Sequence, residues 1–342
     1  MYLEQPEQLI RQLADLRGLS GREQEPGQAA AQMLSAFVPD AAYRDGSVTA
    51  HLVRDPEKPV LLLCAHLDQV GFLVTDITDD GFLRIGCVGG IDHRLLLGQA
   101  VTVYGRRVIP GVISILPPHL LKGDQSVPED AQLCVDLGYS DAEAVKQLVS
   151  RGDAVYFAAK CKTLANGKLT GSALDDRCGV AALILTAELL KDCADCCNVT
   201  FICSGQEERS GRGAKIAALH EKADYAVAVD VTFGMAHGED AAECQVLGKG
   251  PAVGISPVLS SELSDRMIAC AEHAQIPYQT EVMTGTTGTD ADSLALSEGG
   301  TAAGTLSIPL RYMHTPVEVI DPNDVVQTAQ LLAALAKECG RA

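Results

Sequence analysis

Apolar runs of strand length alternate with helical patterns through most of the chain. Four apolar runs predict buried strands, and they are 59–68 (PVLLLCAHLD), 199–208 (VTFICSGQEE), 225–232 (YAVAVDVT) and 304–310 (GTLSIPL). The patterns between and around these runs predict helices: two within 5–36 separated by GLSG, and others at 177–192, 213–222, 261–275 and 321–339. Such alternation is typical of an α/β fold with a mixed, mostly parallel sheet and helices on both faces.

Residues 70–162 interrupt this alternation. This segment is rich in Gly, Val and Ile, has turn signals at TDDG, CVGG and YGRR, and shows one short helical pattern, SDAEAVKQLVS. We therefore predict a small β-barrel-like domain at 70–162, inserted into a larger α/β domain formed by 1–69 and 163–342.

The composition narrows the classes of partner. Hydrophobic residues make up 47% of the 342 positions, which is enough for a large core, and the net charge is −18. A strongly acidic chain is a poor ligand for nucleic acid or an anionic membrane surface, so we expect neither as a partner. No apolar run approaches the roughly 18 residues that span a bilayer. The acidic, amphipathic N-terminus does not have the pattern of a signal peptide, and we expect a cytoplasmic protein.

Twelve cysteines are spread through apolar stretches, and we interpret most of them as reduced, buried residues. The exception is the cluster CADCC, with Cys193, Cys196 and Cys197, which could bind a soft metal ion. It has no second cysteine pair at the spacing of a zinc finger, so a small hydrophobic role is the favoured interpretation.

Polar residues gather at the ends of the predicted strands. In chain order they are His66, Asp68, Asp175, Asp176, Glu207, Glu208, Asp230 and His314. Each one alone is compatible with a loop, a helix cap or a solvated surface. Together they point to a ligand site, because open α/β sheets bind ligands at the carboxyl ends of their strands.

Charge repulsion predicts what that site holds. So many carboxylates could not all stay ionised side by side without positive charge. Histidine and carboxylate ligands suit Zn²⁺, Co²⁺ or Mn²⁺, and a pair of such ions about 3.5–4 Å apart can activate water and polarise a carbonyl. We therefore predict a divalent-metal site, with one ion or two, and an additional carboxylate beside it as the general base.

At this level of detail the chain resembles the M42 metallo-aminopeptidases, the glutamyl and tetrahedral aminopeptidase group. The resemblance rests on GLSGREQEP, AHLDQVGFLV, VGGIDHRLLLGQAV, GSALDDRCGVAAL, SGQEERSGRGA, AVAVDVT, GTDAD and RYMHTPVEVI. It implies a fold like that of the di-zinc exopeptidases and a di-metal hydrolase that removes N-terminal residues from peptides. It also implies a homo-oligomer in which the inserted domain mediates subunit contacts.

The resemblance also implies a role for each site residue. His66 and Asp230 look like ligands of one metal ion, Glu208 and His314 like ligands of the other, and Asp175 would bridge both. Glu207 looks like the general base, and Asp68 like the residue that orients His66. The Asp175–Asp176 peptide bond is expected to be cis. Two positions depart from common family patterns: Ser47 replaces an asparagine, and Gln69 replaces an acidic residue.

Other functions remain open at this point. Some relatives carry an endoglucanase label, but a chain without Trp and with 4% aromatic residues is poorly equipped to bind sugars. Another amide hydrolase on the same fold, or a non-catalytic metal-binding assembly protein, would share the ligands. The sequence does not determine the preferred N-terminal residue, the metal, the number of subunits or the role of Asp290.

Overall fold

One large β-sheet and one closed barrel contain all the strands of the computed structural model, which describes residues 1–114, 133–240, 242–297 and 300–341. The strands are β1 Ala42–Arg44, β2 Ser47–Leu52, β3 Val60–His66, β4 Gly71–Ile77, β5 Leu83–Val88, β6 Ala100–Tyr104, β7 Val108–Ile113, β8 Cys134–Asp136, β9 Ala154–Phe157, β10 Lys162–Thr163, β11 Leu169–Gly171, β12 Asn198–Ser204, β13 Tyr225–Phe233, β14 Ala252–Ile255, β15 Gln279–Val282, β16 Ala302–Arg311 and β17 Glu318–Ile320. The α-helices are α1 Pro6–Ala14, α2 Gln24–Ser35, α3 Ala142–Lys146, α4 Leu174–Leu190, α5 Glu207–Ser210, α6 Arg212–His220, α7 Ser261–Ala274, α8 Ala291–Leu294 and α9 Pro322–Cys339.

The sheet has a parallel centre and antiparallel flanks. Its order is β1-β2-β12-β3-β13-β16-β17-β11-β10, and β14 pairs with β16 and with β15. The four central strands β12, β3, β13 and β16 are parallel to one another, so their carboxyl ends meet at one edge. This arrangement confirms the predicted mixed α/β fold.

Helices cover both faces of the sheet because its central strands are apolar on both sides. Leu61 and Leu63 of β3 pack in the core beneath α1, α2, α4 and α9. Leu62 and Cys64 point the other way, into a smaller cluster with alanines of α6 and α8. Helix α4 is buried along almost its whole length, as expected for a helix that is apolar on every side.

The C-terminal helix α9 begins as its sequence predicts. The side chain of Asp321 accepts a hydrogen bond from the main-chain N–H of Asn323, and Pro322 occupies the first helical position. This cap satisfies one of the N–H groups that a helix leaves free at its start, and proline is tolerated there because its missing N–H would be unpaired anyway.

The barrel is formed by β4-β5-β8-β7-β6-β9. Alternate residues of its strands point inward; in β7 the residues Ile109, Gly111 and Ile113 are buried, whereas Val108, Pro110 and Val112 are exposed. Inside, the rings of Phe72 and Phe157 meet edge to face with centroids 5.3 Å apart. Residues 115–132 of the predicted insert lie outside the described residues.

The barrel contacts the N-terminal loop of the larger domain. The main-chain N–H of Leu19 donates to the hydroxyl of Tyr156 in β9 over 3.3 Å. The main-chain N–H of Gly18 donates over 3.2 Å to the side-chain oxygen of Gln69, which precedes the first barrel strand. Strand β10 begins at Lys162 and belongs to the large sheet. All twelve cysteines lie in the described residues and are free of disulfides. In the described chain, no helix has both the length and the apolar character needed to cross a membrane.

The barrel core generates a stability prediction. Replacing the fully buried Phe72 by alanine removes an aromatic side chain from this core and should cost about 3–5 kcal/mol of the free energy of unfolding. The exposed Val53, in the loop after β2, serves as the control, and Val53→Ala should change the free energy of unfolding by less than about 0.5 kcal/mol. Circular dichroism during guanidinium unfolding gives both values. Equal effects of the two substitutions would contradict the described core.

Candidate metal centre

The parallel strands bring their polar ends together at one edge of the sheet. His66 is the last residue of β3, Asp230 lies in β13, and Glu207 and Glu208 open α5 directly after β12. His314 follows β16, and Asp175 lies at the start of α4. These six residues line one cavity of about 650 Å³. The other two residues collected from the sequence pattern, Asp68 and Asp176, are fully buried behind it.

The first potential ligand group consists of His66, Asp175 and Asp230. The ring Nε2 of His66 lies 3.0 Å from Oδ1 of Asp175 and 3.9 Å from Oδ1 of Asp230. All three side chains are buried, and their ligand atoms lie close enough together to coordinate one metal ion.

The second group consists of Asp175, Glu208 and His314. The ring Nε2 of His314 lies 3.3 Å from Oδ2 of Asp175 and 3.4 Å from Oε1 of Glu208. Within the described chain, Oε1 of Glu208 is buried and has no hydrogen-bond partner. Asp175 belongs to both groups and turns one oxygen towards each imidazole.

Main-chain carbonyls orient both imidazole rings. Nδ1 of His66 faces the carbonyl oxygen of Asp68 over 3.1 Å, and Nδ1 of His314 faces the carbonyl of Gly90 over 2.6 Å. A carbonyl can only accept, so Nδ1 carries the proton when it makes this bond, and in the neutral ring Nε2 is left with a free lone pair. Both rings therefore turn Nε2 towards the carboxylates, and a metal ion that displaced the proton shared there would meet the Nε2 lone pair.

Asp68 has a further role that the sequence did not predict. Its side chain is fully buried, and its two oxygens accept hydrogen bonds from the main-chain N–H groups of Glu207 (2.9 Å) and Glu208 (3.2 Å). The contact with the ring of His66 at hydrogen-bond distance comes from the Asp68 main chain, since its carboxylate lies 3.7 Å away. The Asp68 side chain therefore positions the turn that carries both glutamates.

Asp176 holds the other side of the site. The Asp175–Asp176 peptide bond is cis, which confirms the expectation from the resemblance. The Asp176 side chain accepts hydrogen bonds from the main-chain N–H of His66 (3.2 Å) and of Gly179 (3.0 Å). It thereby ties the end of β3 to the first turn of α4.

Glu318 and the main-chain carbonyl of Gly90 also support the site, and the sequence analysis did not identify either of them. One oxygen of Glu318 accepts hydrogen bonds from the main-chain N–H groups of Leu174 (2.8 Å) and Asp175 (3.3 Å). The other oxygen accepts one from the main-chain N–H of His314 (3.2 Å). The only signal for it in the sequence is an acidic residue within the otherwise apolar VEVI. A main-chain carbonyl such as that of Gly90 carries no signal in the side-chain sequence.

Burial opposes the ionisation of the clustered carboxyl groups. Loss of water raises the pKa of Glu207 to about 7 and that of Glu208 to about 8, and the negative charge of Asp175 adds to both shifts. Burial likewise raises the pKa of Asp230 well above its ordinary value. In this environment each carboxylate is costly unless positive charge lies next to it.

The histidines and Asp175 show the opposite effect. Burial alone would lower the pKa of His314, but its hydrogen bond to Asp175 and the charge of Glu208 raise it to about 9. Burial would raise the pKa of Asp175, but hydrogen bonds from His314 and His66 hold it below its usual range. Divalent cations between these side chains would meet the same demand for positive charge, and the donor set fits Zn²⁺, Co²⁺ or Mn²⁺.

The remaining candidate residues lie outside both ligand groups. Glu207 lines the cavity but belongs to neither group. Asp290 is buried and accepts hydrogen bonds from the side chains of Ser204 and Cys64. Of the cysteine cluster, Cys196 and Cys197 are fully buried in the main core. Among the described residues, the groups arranged to hold a metal contain no cysteine.

The sequence profile of one family matches most of the chain. The M42 glutamyl aminopeptidase family matches residues 46–331. Among curated proteins, the lysyl aminopeptidase of Pyrococcus furiosus is 32% identical over 340 residues, which cover 97% of this chain and 96% of that protein.

Solved structures of similar fold include an aminopeptidase of an archaeon and a TET1 peptidase. Aminopeptidase APDkam598 of Desulfurococcus kamchatkensis has a TM-score of 0.92 and 34% identity, covering 99% of this chain and 96% of its own. The TET1 peptidase of Pyrococcus horikoshii, described as assembling into a tetrahedron or a large octahedral shell, has a TM-score of 0.85 and 32% identity. That match covers 96% of this chain and 98% of its own.

The contacts of Glu318 generate a prediction about stability. Glu318→Ala would leave three main-chain N–H groups without acceptors and should lower the free energy of unfolding by about 2–4 kcal/mol. Glu318→Gln retains one oxygen and should have a smaller effect. Glu57→Ala, at an exposed glutamate, is the matched control and should be near neutral. Denaturant unfolding measures all three variants, and a Glu318→Ala protein as stable as the control would exclude this role.

Proposed function

Because the chain belongs to the M42 glutamyl aminopeptidase family and is thus a peptide hydrolase, we propose that it removes N-terminal residues with the help of two divalent cations. In this proposal His66, Asp175 and Asp230 hold one cation, and Asp175, Glu208 and His314 hold the other. The observation that carries it is the sharing of Asp175 by two ligand groups, with Glu207 unused beside them.

The chain's own residues would divide the reaction between them. When bound, the cations would supply positive charge that lowers the pKa of the attacking water and polarises the peptide carbonyl. Glu207 takes the proton from that water and later donates it to the leaving amine, which is the role of a general base and acid. Asp68 fixes Glu207 through its main-chain N–H, so the carboxylate faces the cavity in a defined position.

Rival functions explain fewer of these features. A glycosidase uses a pair of carboxyl groups as acid and nucleophile, whereas here the carboxylates Asp175 and Glu208 adjoin imidazole nitrogens. A non-catalytic assembly protein has no need of Glu207, which lines the cavity beside the ligands without being one of them. The names of similar proteins leave the substrate residue open, since the family is described as glutamyl and the Pyrococcus furiosus relative as lysyl.

We further propose that the chain self-associates through the inserted segment 70–162, with the catalytic domain at 1–69 and 163–342. The TET1 peptidase of similar fold forms closed shells. The outward face of β7 supports a contact through the barrel. On this face the alternate residues Val108, Pro110 and Val112 expose three neighbouring apolar side chains.

The two adjacent glutamates test the catalytic proposal. Glu207→Gln should retain both metal ions but lose about 10²–10⁴-fold in kcat, because an amide cannot accept the proton. Glu208→Gln removes a charged ligand, so it should bind one metal ion weakly and regain part of its activity when metal is added. Elemental analysis and turnover of an aminoacyl chromogenic amide, with and without added Zn²⁺, Co²⁺ or Mn²⁺, measure both effects. Chelator-treated wild type should be inactive until metal is restored.

Two results would contradict this assignment. A Glu207→Gln protein that loses a metal ion, while Glu208→Gln retains both, would reverse the two roles. Full turnover in wild-type protein shown by elemental analysis to be metal-free would remove the cations from the mechanism.

Self-association is tested at the exposed face of β7. The double substitution Val108→Glu and Val112→Glu places charges in the proposed contact and should shift the mass measured by light scattering at micromolar concentration towards the monomer. Val53→Glu, at an exposed valine of the catalytic domain, should leave the mass unchanged. A wild-type protein that is monomeric under these conditions would refute the proposal.

A further inference from the structure

A carboxylate on the wall of the catalytic cavity has no part in either ligand group. Glu281 lies in β15 and lines the same cavity as His66, Asp175 and Glu207. Resting on the proposed aminopeptidase function, we propose that Glu281 selects substrates whose N-terminal residue is lysine or arginine, by pairing with the cationic end of that side chain.

The position of Glu281 relative to the ligands suits this role. The hydroxyl of Thr232 donates a 2.6 Å hydrogen bond to Oε1 of Glu281. Thr232 lies two residues beyond Asp230 on β13, so the two side chains leave the strand on the same side, about 7 Å apart. A substrate whose N-terminal residue is held beside Asp230 would have to reach across this distance to Glu281, the partner of Thr232. The four-carbon stem of lysine, or the three-carbon stem of arginine, is long enough to do so.

Among the described residues, no cationic side chain balances the charge of Glu281. Its carboxylate is half-buried and hydrogen-bonds to the hydroxyls of Thr232 and Ser307, but within the described chain it has no lysine or arginine partner. Burial raises the pKa of Glu281, because it removes water that would solvate the carboxylate, and the two hydroxyls offset part of this effect. A cationic ligand would provide the missing charge in a partly desolvated place, where such a pair is stronger than at an open surface.

The second acidic residue of this wall has its oxygens occupied. Oδ1 of Asp292 accepts from the main-chain N–H and the hydroxyl of Thr287, and Oδ2 accepts from the N–H of Gly288. Asp292 therefore stabilises the loop before α8. Within the described residues, Glu281 instead accepts hydrogen bonds from side-chain hydroxyls, those of Thr232 and Ser307, rather than from the main chain of a loop.

Apolar side chains of the same cavity complete the pocket. Phe233, the last residue of β13, is 60% exposed, and Met313 lies next to the ligand His314. Lysine and arginine bury their aliphatic stems against such surfaces while the charged end reaches a polar partner.

The cavity also contains Arg209, an exposed cation in α5, which would favour an acidic substrate instead.

The experiment compares substrates and variants on the metal-loaded enzyme. We expect kcat/KM for lysyl and arginyl chromogenic amides to exceed that for the leucyl amide by about 10-fold or more, and the glutamyl amide to be the poorest of the four. Glu281→Gln preserves the shape and an acceptor for Thr232, and it should lower the lysyl-to-leucyl ratio of kcat/KM by roughly 10–100-fold. Glu281→Lys should reverse the preference towards the glutamyl amide. Glu57→Gln, an exposed glutamate in the turn before β3, is the control and should leave the ratio unchanged.

The outcomes separate this inference from the proposed function. An active wild-type enzyme that prefers the leucyl or glutamyl amide overturns the selection by Glu281 and leaves the aminopeptidase proposal standing. A Glu281→Gln protein that slows all four substrates equally shows a structural role and also overturns it. If the metal-loaded wild type hydrolyses none of a full panel of aminoacyl amides, the proposed function itself fails.

Discussion

The two oxygens of Asp175 connect the whole site. Each oxygen faces the Nε2 of a different histidine, and each histidine faces a further carboxylate, Asp230 on one side and Glu208 on the other. Buried carboxylates gathered around the same imidazoles repel one another, so this arrangement favours positive charge between them. The fold around Asp175 can be understood as the means of holding these groups together in spite of that repulsion.

The surrounding main chain supplies much of that support. Asp68 binds the N–H groups of the two glutamates, Asp176 binds that of His66, and Glu318 binds those of Asp175 and His314. Three buried acids thus tie separate segments of the chain together with hydrogen bonds to main-chain donors, which is what a buried carboxylate needs in order to be tolerated. The barrel segment contributes as well, because the Gly90 carbonyl fixes the ring of His314.

The sequence predicted those features that leave a periodic or a chemical pattern. The central strands are apolar on both faces and end in polar residues, so their parallel order and the meeting of His66, Glu208 and Asp230 followed from the pattern. The supporting contacts leave no such trace. Glu318 looks like one polar position in a short strand, and the Gly90 carbonyl is main chain. Glu281 lies in β15, which pairs with β14 outside the main strand order of the sheet. This pairing depends on tertiary structure, so the sequence pattern did not predict that Glu281 lines the cavity.

Diffraction from crystals grown with Zn²⁺, with data collected at the zinc absorption edge, would test whether two cations share Asp175. We expect two anomalous peaks per chain, both adjacent to Asp175, with one next to His66 and Asp230 and the other next to Glu208 and His314. A single peak at this edge of the sheet, or zinc bound instead at Cys193, Cys196 and Cys197, would contradict it.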